Sequence, residues 1–247
     1  MFNIGFRSYI TEHDLQVAKE LDMKVLEVMF EDSNRHKTDE IAGLLKEYDI
    51  KPAALAIFPQ RGIDELKSDV EFAKRIDCNV YVAHPAPLTF KEHENIKKFK
   101  EFWKEACKCG ADNGVHIAVQ SCGLNPESWD IMFHEVPELC LKYDPSFSNQ
   151  EGRDIPGELL RYGKRIVHTH AKDEIPVRRH CYKNSIDYVY APPGMGSINW
   201  GSFIALLYQV GYKHSIAIEV HSDFWFSKEY FKGGLLLAKR HLEQFMF

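Results

Sequence analysis

The sequence predicts an α/β fold, a single-domain (β/α)₈ TIM barrel over residues 1–247, and three observations carry that expectation. Eight short β-rich runs alternate with segments of helical period. The chain has the length that eight such units occupy. No glycine-rich phosphate loop follows any of the runs, which argues against the competing arrangement, an open doubly wound sheet.

In chain order the first four units are NIGF followed by a helix over 12–21, KVLEV by 38–48, PAALAI by 62–76 and NVYVAH by 91–110. HIAVQ, ELCLKYD, RIVHTH and SIAIE come next, each with a helical candidate behind it. The first helix is expected to start at Thr11, with Asp14 three residues on as the reciprocal capping partner. Behind Asn199, Phe203, Leu206, Leu207 and Val210 recur at helical spacing. In KEHENIKKFKEFWKEACK the residues Ile96, Phe99, Phe102, Trp103 and Ala106 do the same, so its charges read as a solvated helix face. The longest connection, 173–198, follows the seventh strand and has the Pro and aromatic content of an ordered loop.

Composition narrows the function classes. A net charge of -5, with no long basic run, argues against nucleic acid as a partner. No uncharged apolar run reaches the ~18 residues of a membrane helix, and MFNIGFRSYITEHD lacks the basic start and apolar core of a signal peptide. A cytoplasmic protein without a membrane partner is expected; assembly as a homo-oligomer is left open. The six cysteines form no CxxC pair, which suits reduced, buried thiols and argues against structural zinc.

Alternation along each strand selects the residues that point into the barrel. In HIAVQ these are His116, Ala118 and Gln120; in IVHTH, Ile166, His168 and His170; in SIAIE, Ser215, Ala217 and Glu219. Asp144 shares its face with Cys140 and Lys142. Branched or large apolar residues occupy the opposite face, towards the helices. A polar or ionisable group therefore ends each of strands four to eight: His84, Gln120, Asp144, His170 and Glu219. In a barrel those ends form the mouth, where the chemistry is placed. Any one of them alone reads as a strand cap; five at one level read as a site. Carboxylate, imidazole and amide ligands without thiolate suit one divalent metal ion, Mn²⁺, Mg²⁺, Co²⁺ or Zn²⁺.

LKYDPSF, RIVHTHAKD, PPGMGSINW and YKHSIAIEV together resemble the strand-six, strand-seven, turn and strand-eight motifs of the xylose isomerase-like TIM-barrel superfamily. That group holds sugar phosphate isomerases and epimerases and the AP endonuclease family 2 enzymes. The resemblance implies a four-residue metal site formed by Gln120, Asp144, His170 and Glu219. Gln120 stands where the family has a glutamate that also moves a proton, and Phe147 stands where it often has a histidine that helps hold substrate.

The implied activity is proton transfer beside the carbonyl of a small carbohydrate. The metal would act as Lewis acid, with Glu219 and the residue at 120 as the catalytic pair. Because an amide accepts no proton at neutral pH, one-base isomerisation, or a lyase or dehydratase step, fits better than two-base epimerisation. His84, His168, Lys172 and Arg7 are candidate substrate contacts, with Asp173, Arg178 and Arg179 weaker ones. The segment 174–197, with Tyr182, Tyr188 and Tyr190, is a candidate lid. Two alternatives stand beside the isomerase: a barrel that binds a sugar or metabolite without turnover, and, less favoured, an endonuclease IV-like phosphodiesterase.

Overall fold

The computed structural model describes residues 2–31, 36–57, 61–84, 93–177 and 187–247. All eight β-rich runs are strands in it: β1 (Ile4–Ser8), β2 (Val25–Phe30), β3 (Lys51–Ile57), β4 (Val80–Ala83), β5 (His116–Gln120), β6 (Cys140–Tyr143), β7 (Ile166–Ala171) and β10 (Ile216–Ile218). They form a closed barrel in which each strand pairs in parallel with its neighbour and β10 closes on β1, Ile4 opposite Ile216. Closure leaves none of these strands with an unpaired edge.

The strands are joined by α1 (Glu12–Glu20), α2 (Thr38–Glu47), α3 (Ile63–Arg75), α4 (His93–Asn113), α5 (Pro126–Glu135), the pair α6 (Pro145–Gln150) and α7 (Ile155–Tyr162), and α8 (Trp200–Gln209). After β10 come a short turn of helix, α9 (Asp223–Phe226), and α10 (Phe231–Glu243). Local chemistry sets several starts. Thr11 Oγ1 accepts the Asp14 N–H at 3.1 Å, while the Asp14 carboxylate turns to the Ser8 hydroxyl at 2.8 Å, so only half of the expected capping box forms. Asn125 and Asn199 cap α5 and α8 in the same way, and Pro126 fits the first turn of α5, where no amide hydrogen is needed. On α4, Phe99, Trp103 and Ala106 are buried against the barrel.

The core has two layers. Between barrel and helices pack Phe6, Leu26, Leu55, Ile117, Val119, Leu141, Tyr143, Ile216 and Ile218 with the apolar helix faces. Inside the barrel, the small residues Ala54, Ala56 and Ala118 pack with Met29, Val80, Val82 and Val167. One expected orientation is corrected. Ile166 joins the outer layer and Val167 the inner one, because Leu141 faces Ile166 while Lys142 faces His168 across the same pair of strands. Val167 is the extra residue of a bulge, and a bulge resets the alternation beyond it.

The connection after β7 is more regular than expected of a loop. Asp173–Val177 and Asp187–Ala191 form an antiparallel hairpin, β8 and β9, with Asp173 opposite Ala191. Arg178, Arg179 and Tyr182 lie outside the described residues. Among the described residues no helix is long and apolar enough to cross a membrane, and the described cysteines, Cys78, Cys107, Cys109, Cys122 and Cys140, are free.

Candidate active site at the barrel mouth

Strand alternation and barrel closure bring five of the sequence-selected residues into one cluster: Arg7, Asp144, His170, Lys172 and Glu219. The buried residues Glu27 and Lys142 complete it. Its centre is His170, at the end of β7. Nδ1 of His170 lies 3.0 Å from Glu219 Oε2 and 3.5 Å from Asp144 Oδ2. On the other side of the ring, Nε2 lies 2.6 Å from Glu27 Oε2, the same oxygen that meets His168 Nε2 at 2.5 Å. Glu27 thus clamps both imidazoles from below and fixes which nitrogen of His170 faces the mouth. His168 is fully buried and its partner is this clamp.

Three basic side chains interleave with three carboxylates. Arg7 donates to Glu219 Oε1 and also approaches Glu27. Lys172 Nζ bridges Asp144 Oδ2 at 3.1 Å and Glu219 Oε2 at 3.4 Å. Lys142 Nζ, only 1% exposed, lies 2.7 Å from His170 Nδ1 and 3.6 Å from Asp144 Oδ2. Asp144 also begins α6, where its Oδ1 accepts the Ser146 N–H, and its own N–H donates to Ser121 Oγ. The carboxylate is thereby held from two elements.

These contacts set the protonation states. Burial alone would raise the carboxyl of Asp144, but Lys172 and Lys142 hold it well below the usual range. Glu219 is likewise held low, against its burial, by His170 and Lys172. For Glu27 the two imidazoles outweigh burial in the same direction. Burial would lower His170, yet Glu27 lifts it to about 9, whereas burial prevails at Lys142 and lowers it. Because the two nitrogens stand 2.7 Å apart, a proton on either one disfavours a proton on the other.

A carboxylate with a depressed folded pKa contributes stability that is fully present above its unfolded pKa and lost as the pH falls through the folded one. With three such groups in one cluster, the melting temperature is expected to fall steeply from about pH 5 downwards. A melting temperature that stayed flat down to about pH 3 would show that these carboxylates are not ionised within the fold.

The remaining candidates are placed as follows. Gln120 is buried on β5, opposite Lys142 on β6, and among the described residues its Oε1 has no hydrogen-bond partner. His84 is half-buried, one residue past β4. The ring of Phe147 lies under the Lys172 ammonium, 4.2 Å from ring centroid to Nζ, and Tyr190 of the hairpin faces the same ammonium at 5.6 Å. Tyr188 instead bonds the Gln150 carbonyl and ties the hairpin to α6.

Asp173 organises a turn. Its carboxylate accepts the N–H groups of Glu174, Gly194, Gly196 and Ile198 and the indole N–H of Trp200. The PPGMGSINW segment wraps round it so closely that a Cβ on Gly196 would lie 2.2 Å from Asp173 Oδ1.

Among the described residues, two groups of side chains have the chemistry to hold a metal ion: Glu27, His168 and His170, and Asp144, His170 and Glu219. In the first, 2.5 and 2.6 Å are hydrogen-bond lengths. Two ligands at right angles on an ion ~2.1 Å from each would stand about 3 Å apart. In the second, separations of 3.0 and 3.5 Å suit shared coordination. The same atoms, however, already carry ammonium contacts. An ion ~2.1 Å from both Asp144 Oδ2 and His170 Nδ1 would stand within about 4 Å of Lys142 Nζ. At that distance each pair of like unit charges costs ~4 kcal/mol at an effective dielectric constant of about 20. As the side chains stand, the donors fit a divalent ion and the cations among them do not.

Sequence alternation had placed Lys142 on the face of Asp144 but gave it no role. Glu27 lies inside β2 and not at its end, so strand-end position does not single it out. The signal was present in VLEVMF, a lone carboxylate in an otherwise apolar strand.

The family described as xylose isomerase-like TIM barrel matches residues 15–240. No curated protein matches the chain in sequence. Among solved structures, a xylose isomerase domain protein from Planctomyces limnophilus superposes with a TM-score of 0.81 at 15% identity, covering 98% of this chain and 96% of its own. An IOLI protein with a bound zinc atom gives 0.75 at 18% identity, covering 99% of both chains. D-psicose 3-epimerase with D-tagatose, from Clostridium cellulolyticum H10, gives 0.76 at 13% identity, also covering 99% of both. At these identities the likeness is one of fold.

Proposed function

We propose that this chain, which belongs to the xylose isomerase-like TIM barrel family, is a sugar isomerase or epimerase-type enzyme. Its reaction is proton transfer at the carbon beside the carbonyl of a ketose or related small carbohydrate. The observation that carries this reading is the meeting, at the C-terminal ends of β7 and β10, of an ionised carboxylate, Glu219, with a buried ammonium, Lys172. A base and a fixed cation side by side are what removal of a proton next to a carbonyl needs. The D-psicose 3-epimerase among the structural neighbours supports the substrate class.

In this reading Glu219 accepts the proton, and Lys172 neutralises the charge that develops on the carbonyl oxygen. Glu27 and His168 are positioning residues that hold His170. Gln120 offers its unpartnered amide oxygen to a substrate hydroxyl and takes no proton, which favours one-base isomerisation. Arg7 is committed to Glu219 and orients that carboxylate, while Tyr190 screens one side of the mouth. His84 is a contact for the distal part of the sugar. The ion of the sequence expectation, Mn²⁺, Mg²⁺, Co²⁺ or Zn²⁺ on Asp144, His170 and Glu219, would contend with Lys142 and Lys172 for the same atoms. These steps therefore use side chains alone.

Incubation with a panel of ketoses and ketose phosphates, followed by chromatography of the isomers, tests the reading. Interconversion of at least one is expected. A protein that binds a sugar but converts none would be the non-catalytic barrel, for which the amide at position 120 is the favouring observation.

A further inference from the structure

We infer that Lys142 and Lys172 supply the positive charge at the centre of this site in place of a divalent ion, so that the site is complete without metal. The inference deepens the reading above and rests on it for the substrate's carbonyl. The charges around the mouth balance. Glu27, Asp144 and Glu219 contribute three negative charges, and Arg7, Lys142 and Lys172 three positive ones, all within one chain of contacts. No deficit remains for a dication to neutralise.

The positions say the same. In the Asp144, His170 and Glu219 group each ligand atom already faces an ammonium: His170 Nδ1 faces Lys142, Asp144 Oδ2 faces both lysines, and Glu219 Oε2 faces Lys172. Lys142 cannot swing aside into water, because it is a fully buried residue on a barrel strand with its register partners Gln120 and His168 on either side. A neutral amide at position 120 is consistent with this balance, since a carboxylate beside Lys142 would leave the cluster one negative charge in excess.

The two ammoniums divide the work. Lys142 lies among the His170 ring, Asp144 and the strand interior, so it fixes the donors. Lys172 lies among Asp144, Glu219, Phe147 and Tyr190, so it is the cation a carbonyl oxygen entering at the mouth would meet. Phe147 adds to its retention, because a cation over an aromatic face gains attraction when withdrawn from water.

The test is metal binding measured without reference to activity. Full-length protein purified without chelator is analysed for its metal content, then titrated calorimetrically with Mn²⁺ and Zn²⁺, and its melting temperature is compared with and without EDTA. Substoichiometric metal, no saturable binding and an unchanged melting temperature are expected. A resident ion near one per chain, or a melting temperature lowered by EDTA, would overturn the inference.

A second arm uses the double variant Gln120→Glu, Lys142→Met, which removes one cation and adds one anion at cross-strand neighbours. It is expected to gain one ion per chain, with affinity up by ~100-fold or more, the upper range for changes beside a metal ligand. A folded double variant that still bound no ion would show that Lys142 is not what excludes it. Because these readouts need no substrate, failure to convert any ketose would sink the carbohydrate reading and leave this one standing.

Discussion

Replacing Glu219 with Gln is expected to lower turnover of a converted ketose by ~10²- to 10⁴-fold, the span typical of a lost general base. The carboxylate is ionised throughout the neutral range because His170 and Lys172 outweigh its burial. Gln keeps the length and shape of the side chain, but its single amide oxygen can accept from only one of Arg7 and Lys172, which meet different oxygens of the carboxylate, and it cannot take a proton. The fall should appear mainly in kcat, because the lost proton acceptor acts in the transition state. A variant of intact fold whose kcat stayed within a few-fold of wild type would show that the proton goes elsewhere.

The second large effect concerns stability. Lys172→Met is expected to cost ~3–5 kcal/mol, because removing one partner of a buried ion pair leaves the other charge uncompensated. Here one ammonium bridges two carboxylates, Asp144 and Glu219, each less than 5% exposed. Methionine retains an apolar stem against Phe147 and Tyr190, so the packing loss is small and the change reports mainly on charge. The deficit carries a pH signature. Lys172 is the largest of the influences that hold Asp144 low against its burial, so without it the folded pKa of Asp144 moves up. The deficit relative to wild type should then shrink as the pH falls, because Asp144 protonates in the variant while the wild-type carboxylate is still ionised. Urea midpoints at neutral and acidic pH measure this. A cost below about 1 kcal/mol, in the range of exposed pairs, would mean that water reaches the bridge.

How much of this was legible in the sequence depends on the physical origin of each feature. The barrel was legible because its signals are local: alternation within HIAVQ or SIAIE and helical spacing behind them follow from backbone geometry. The ends of the strands were legible for the same reason, so Asp144, His170 and Glu219 could be selected without coordinates. Glu27 was not. Its partners lie more than a hundred residues away in sequence, and only barrel closure brings β2 opposite the imidazoles of β7. The bulge that sends Val167 inward was hidden too, since an extra residue in a strand leaves no mark in composition. Lys142 was readable as inward-facing but not as a contact of His170 Nδ1, because a four-carbon stem reaches several sites and packing chooses among them. The hairpin after β7 read as a loop. What orders the turn that follows it is Asp173, which collects five donors from both ends of that segment, a non-local arrangement.

In the proposed reaction this mouth moves a proton beside a sugar carbonyl, with Glu219 as base and lysine as cation. Deuterium entry from solvent into the carbon next to the carbonyl of a ketose, followed by NMR in excess chelator for wild type and Glu219→Gln side by side, measures that step. The step requires exchange by the wild type that survives the chelator and is lost in the variant. No exchange on any ketose, exchange abolished by the chelator, or equal exchange in both proteins would contradict it.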